Sequence, residues 1–86
     1  MPLRIAVQMD PIERIDIRSD STFAILLEAQ KRGHKIFYYT PIDLSLHGDR
    51  LLARGQSLKV EDKHGAHYGI ADARVENLAE LDVVLL

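Results

Sequence analysis

The 86-residue chain has no cysteine. That absence excludes a disulfide framework, a thiolate nucleophile and any cysteine-based zinc site. It has no basic excess: 11 Lys and Arg stand against 13 Asp and Glu, a formal net charge of −2, so nucleic acid is not the expected partner. No apolar run approaches the ~18 residues of a membrane span, and the N-terminus lacks the apolar stretch of a signal peptide. Loops built for phosphate are missing too. The first strand pattern is not followed by Gly-x-Gly-x-x-Gly, and no Gly-rich loop ends in Gly-Lys-Ser/Thr. There are no repeats, low-complexity tracts or linkers. What remains, 47% hydrophobic and 28% charged, points to one soluble globular domain, with the cytosol as its expected compartment. A chain this short buries only ~60–65% of its unfolded surface, so it is marginal standing alone.

The residues present divide into recognisable elements. "LRIAVQM", residues 3–9, puts Leu3, Ile5, Val7 and Met9 on one face and Arg4, Ala6 and Gln8 on the other. This alternation predicts a core strand whose second face is partly covered, ended by Pro11. A helix is predicted over 21–32. Asp20 or Ser21 caps its start, Gly33 closes it, and Phe23, Leu26, Leu27 and Gln30 form its inward stripe. Glu28 and Arg32 make a favourable i,i+4 pair, and Ile25 projects outward, first as a scattered surface apolar residue and second as a subunit or domain contact. "HKIFYYT", 34–40, reads as a second strand, completing a βαβ unit with a parallel pair.

Residues 44–60 read as a hairpin about Gly48-Asp49, with a bulge or bend at Gly55. A short strand is expected near 66–71 and a short helix or turn over 73–81. The closing "DVVLL" is continuously apolar, as in a parallel strand covered on both faces inside a sheet. Ligands of open α/β sheets sit beyond the carboxyl ends of such strands. With no loop after Leu86, the chain reads as the front of something longer.

Candidate chemistry is sparse. His64 and His67 are three apart, a spacing seen in metal pairs, but no third ligand is evident and a solvated loop explains them better. His34 and His47 are isolated. Ser21 and Thr22 lack a nearby base, so capping outweighs nucleophilic use. Asp10 with Asp20 has the form of paired carboxylates, yet nothing in the sequence makes them converge, and an Asx-type turn is the simpler role for Asp10. The helix N-terminus near Ser21 offers a weak, generic preference for an anion.

One long stretch says more than these fragments. "VQMDPIERIDIRSDSTFAILLEAQKRGHKIFYYTPIDL", with "LDVVLL" at the end, resembles the N-terminal domain of bacterial glutathione synthetase over essentially all 86 residues, most weakly across 45–75. The resemblance implies an α/β fold: a small three-layer-type βαβ domain, pre-ATP-grasp and Rossmann-like, with a mainly parallel sheet and an added β-hairpin. It implies an ATP-grasp ligase that phosphorylates the carboxylate of γ-glutamylcysteine with ATP and Mg2+. Glycine's amine then attacks the acylphosphate, giving glutathione, ADP and phosphate, chemistry that rests on positioning and charge stabilisation.

In this family the nucleotide, metal and most catalytic groups belong to the central and C-terminal parts, and an Arg-Lys-Asp-Pro-Pro loop follows the "DVVLL" strand. Residues 1–86 are therefore expected to be a truncated substrate-side domain without the ATP-grasp domain, inactive alone, binding neither ATP nor Mg2+ itself. Met9, Asp10, Pro11 and Ser21 carry over as candidate substrate-facing positions, with no catalytic, cofactor-binding or metal residue. Homo-oligomerisation is a further arrangement the resemblance allows. Two other classes also fit these residues: a stand-alone βαβ binding or interaction module, and the front domain of another ATP-grasp amino-acid ligase.

Overall fold

The computed structural model describes residues 2–63 and 65–86. Its chain order is β1 (Arg4–Gln8), α1 (Ser21–Lys31), β2 (Lys35–Tyr39), β3 (Leu44–His47), β4 (Arg50–Val60), β5 (Tyr68–Asn77) and β6 (Val83–Leu85). Single 3-10 turns occur at Ile12–Arg14, Pro41–Asp43 and Leu78–Glu80.

β1 runs parallel to β2, with Ile5 opposite Ile36 and Val7 opposite Tyr38, and parallel to β6, with Ile5 opposite Val83. The rest of the sheet is antiparallel. β4 pairs with β2 through residues 56–58, with β3 through residues 50–53, and with β5 along most of its length. The expected mainly parallel, three-layer Rossmann-like sheet is therefore not what forms. The six strands make a mixed sheet, curled into a half-barrel, with one helix on one face. The reason lies in residues 44–77. A Rossmann-type domain would need another crossover helix there, but this segment supplies a three-strand antiparallel meander of strand period. β2 and β3 share one edge of the 11-residue β4, which bends so that both can reach it.

Gly55 makes that bend. The β4–β5 register shifts between Gly55 and Ser57, and a Cβ at Gly55 would lie 2.1 Å from the Tyr38 carbonyl oxygen. Only a residue without a side chain lets β4 approach β2 this closely. Two more expectations are corrected. The strand near 66–71 runs on to Asn77, because long β4 offers it an edge, so residues 73–77 are strand and only Leu78–Glu80 turn. β6 is an edge strand among the described residues rather than an interior one, and its Val84 is 39% exposed.

α1 forms as its sequence dictates. Asp20 Oδ1 accepts the Phe23 amide at 2.8 Å. At the other end Gly33, at φ +83°, donates to Gln30 O, and His34 donates to Ala29 O, the two bonds of a Schellman closure. Phe23 and Leu26 are buried, Leu27 partly so, and Ile25 is 53% exposed. Gln30 grips the end of β4 with both amide atoms, donating to Val60 O at 2.7 Å and accepting from Val60 N at 2.8 Å. Glu28 and Arg32 pair at 2.8 Å.

Strand alternation divides the core in two. Val7, Met9, Ile36, Tyr38, Leu58 and Val60 face α1, with Phe23, Leu26 and Ile12. Ala6, Phe37, Tyr39 and Ala53 face the other way, covered by Leu78 and, more loosely, by Leu44 and Leu81. Among the described residues no helix is long and apolar enough to cross a membrane.

Candidate functional site

Twelve residues, 9–20, link β1 to α1 at the carboxyl end of the parallel strands, and they are ordered by bonds of several kinds. Met9 N donates to Tyr39 O, prolonging the β1–β2 pairing by one residue. Pro11 O accepts Arg14 N at 2.9 Å, closing the first 3-10 turn. Asp16 Oδ1 accepts Arg18 N, and Asp16 O accepts both Ser19 N and Asp20 N. Asp20 then caps the helix, so each turn hands the chain to the next.

Ile12 is the pivot. It is 0% exposed, and its two main-chain polar groups are taken by distant side chains. Tyr38 Oη accepts the Ile12 amide at 2.9 Å, and His67 Nε2 donates to the Ile12 carbonyl at 2.7 Å. An acceptor-only carbonyl places the hydrogen on Nε2 of His67. The ring stands edge-on to Phe23 at 5.8 Å between centroids and tilted against Tyr68 at 4.9 Å. Burial pushes the Tyr38 hydroxyl above the ordinary tyrosine value, partly opposed by the Ile12 hydrogen bond.

Beside this pivot lies a cleft of about 430 Å³ lined by Glu13, Arg14, Ile15, Asp16, Ile17, Arg18, Gly65 and His67. Ile15 and Ile17 pack partly against the core, which turns the intervening charges outward. Two carboxylates and two guanidiniums therefore border one small concavity, a charge set suited to a small zwitterion.

The sequence-derived positions fall around this cleft rather than in it. Met9 is buried in the core beneath α1. Asp10 is exposed, and no described residue donates a hydrogen bond to its carboxylate; the Asx-type turn expected there is made by Asp16 instead. Pro11 is half-buried at the start of the 3-10 turn, and Ser21 is exposed at the first position of α1. The helix N-terminus is already served by Asp20, whose side chain and carbonyl accept Phe23 N and Ala24 N, which weakens it as an anion site.

The sequence gives charged residues 13–18 no role, and it offers His67 only as a metal-pair candidate with His64, set below a solvated loop. The alternation of Ile12, Ile15 and Ile17 with charges was the available signal for a wall held down on one side. His67 had none, and its expected place in a solvated loop is overturned by its 9% exposure. Its partner in that expectation, His64, lies outside the described residues. No three potential metal-ligating side chains cluster among the described residues.

Residues 3–86 match the family described as "Prokaryotic glutathione synthetase, N-terminal domain". The chain belongs to this family. Among similar proteins, the glutathione synthetases of Rhodopseudomonas palustris and Bradyrhizobium diazoefficiens are each 56% identical over all 86 residues. That of Escherichia coli is 39% identical over 84 residues, 98% of this chain. The chain spans only 28%, 27% and 27% of these three relatives. The greater part of each relative lies outside the match.

Proposed function

We propose that residues 1–86 act as the substrate-side N-terminal domain of a cytosolic glutathione synthetase, the ligase that joins γ-glutamylcysteine to glycine at the expense of ATP. The observation that carries this reading is the family match across residues 3–86. The 13–18 cleft supports it: a γ-glutamyl peptide carries an ammonium and carboxylates, and Glu13 and Asp16 with Arg14 and Arg18 offer the complementary charges. Asp10 and Ser21, both exposed near the same strand end, are proposed as outlying substrate-facing positions. Pro11 stiffens the approach to the loop, and Met9 acts from beneath it.

ATP and Mg2+ belong to the proposed reaction, but the residues described here do not fit them. There is no glycine-rich phosphate cradle, no cluster of three ligating side chains, and the one α-helix N-terminus carries its own carboxylate. No catalytic step is assigned to this chain. Its part is to present one wall of the dipeptide site to a phosphorylating centre contributed by other residues. Given ATP, Mg2+, γ-glutamylcysteine and glycine, the purified chain should release no ADP above buffer. Steady ADP release would overturn the proposal. Self-association is also proposed, through outward Ile25, and would appear as concentration-dependent melting lost in Ile25→Ala.

A further inference from the structure

We infer that Tyr38 and His67 are positioning residues of the cleft, fixing its 13–18 wall by holding the buried main-chain N–H and C=O of Ile12, which belong to two successive peptide units. A buried main-chain N–H or C=O must find a partner, and in most proteins a neighbouring strand or turn supplies it. At Ile12 neither group is served that way. The amide goes to Tyr38, 26 residues away on β2, and the carbonyl to His67, 55 residues away at the entrance to β5.

An apolar anchor alone fixes where a loop touches the core but leaves its peptide planes free to rotate. Two directed hydrogen bonds on Ile12 remove that rotation. They set the direction in which Glu13, Arg14, Asp16 and Arg18 leave the core.

His67 does more than accept this load. Its ring also lines the cleft, next to Gly65, so a single side chain joins the 13–18 wall to the opposite wall at a set spacing. The ring is packed in turn between Phe23, T-shaped to it at 5.8 Å, and Tyr68, tilted against it at 4.9 Å. Tyr38 sits 6% exposed on a strand paired on both sides, so its hydroxyl is as fixed as the sheet. What the clamp is for rests on the substrate-side reading above; that it orders the loop does not.

The test is amide exchange of the full chain, read residue by residue, for Tyr38→Phe, His67→Phe and His67→Gln, with γ-glutamylcysteine titrated into each. Tyr38→Phe and His67→Phe keep the packing and remove the clamp, and His67→Gln keeps a donor near the carbonyl. Exchange across residues 12–20 should rise in the two Phe variants by about tenfold or more beyond any rise at the strand amides of Val7 and Phe37, which follow global stability alone, and return toward the parent in His67→Gln. Dipeptide affinity should fall by a similar factor in the same two variants. Unchanged loop exchange, or an equal rise at Val7 and Phe37, would overturn the clamp. A loosened loop with unchanged dipeptide affinity would overturn its role in the cleft. A parent chain that does not bind the dipeptide would count against the substrate-side reading alone, because the exchange data still decide the clamp.

Discussion

Tyr38 and Tyr39 are neighbours on one strand with opposite hydrogen-bond fortunes. Tyr38 Oη holds the Ile12 amide, whereas Tyr39 Oη is buried with no partner among the described residues. Their conversion to Phe should therefore act in opposite directions. Tyr38→Phe strands a buried amide and should cost ~1–3 kcal/mol, while Tyr39→Phe removes an unserved hydroxyl and should be neutral or stabilising. Denaturant melts of the two variants check this, and a loss in both would contradict it. Burial raises the ionisation of both hydroxyls above the ordinary value near 10. Because the folded pKa lies above the unfolded one, this stabilisation is complete below the unfolded value near 10 and is lost as pH rises from there through the raised folded value. The chain should thus lose stability in the alkaline range, with tyrosinate absorbance appearing together with unfolding. Tyrosinate formation from both residues near pH 10 in a still-folded chain would refute that coupling.

At the scale of elements, α1 supplies the clearest energetic test. Leu26 is fully buried against Val7 and Val60's cluster, Leu27 only partly, and Ile25 faces out. Leu26→Ala should cost ~2–5 kcal/mol, a fall in melting temperature on the order of ten degrees or more. Leu27→Ala should cost less, and Ile25→Ala should be nearly silent in a monomer. Gly55→Ala should destabilise by at least ~1–3 kcal/mol, because its methyl would meet the Tyr38 carbonyl and the Phe37 ring. A melt indistinguishable from the parent would show that β4 does not need this close approach.

The same elements explain how far the sequence could be read. β1, α1 and β2 carry strong local signals: alternation, an Asp cap, a Gly33 closure and a β-branched, aromatic run. The Gly48 turn and the Gly55 irregularity were equally visible. The topology was not, because residues 73–77, "ARVEN", become strand only through the free edge of β4, a partner 20 or so residues away. The cleft was hidden for a related reason. Its walls come from 13–18 and from Gly65 and His67, and long-range contacts of His67 with Ile12 and Phe23 bring them together.

For the molecule as a whole, the fold brings two segments far apart in sequence to one end of the sheet. The mixed sheet gives a rigid base, its parallel half carries the 9–20 loop at a strand end, and the antiparallel half delivers His67 to meet it. Among the described residues nothing cradles a nucleotide, whereas the cleft's paired charges suit a zwitterionic peptide. Amide-shift NMR titrations of the 86-residue chain with γ-glutamylcysteine and, in parallel, with ATP and Mg2+ decide whether it forms a dipeptide wall without a nucleotide site. The dipeptide should shift residues 12–18, Gly65 and His67, and the nucleotide should shift none of them. Saturable shifts with ATP, or dipeptide shifts confined to residues away from this cleft, would contradict it.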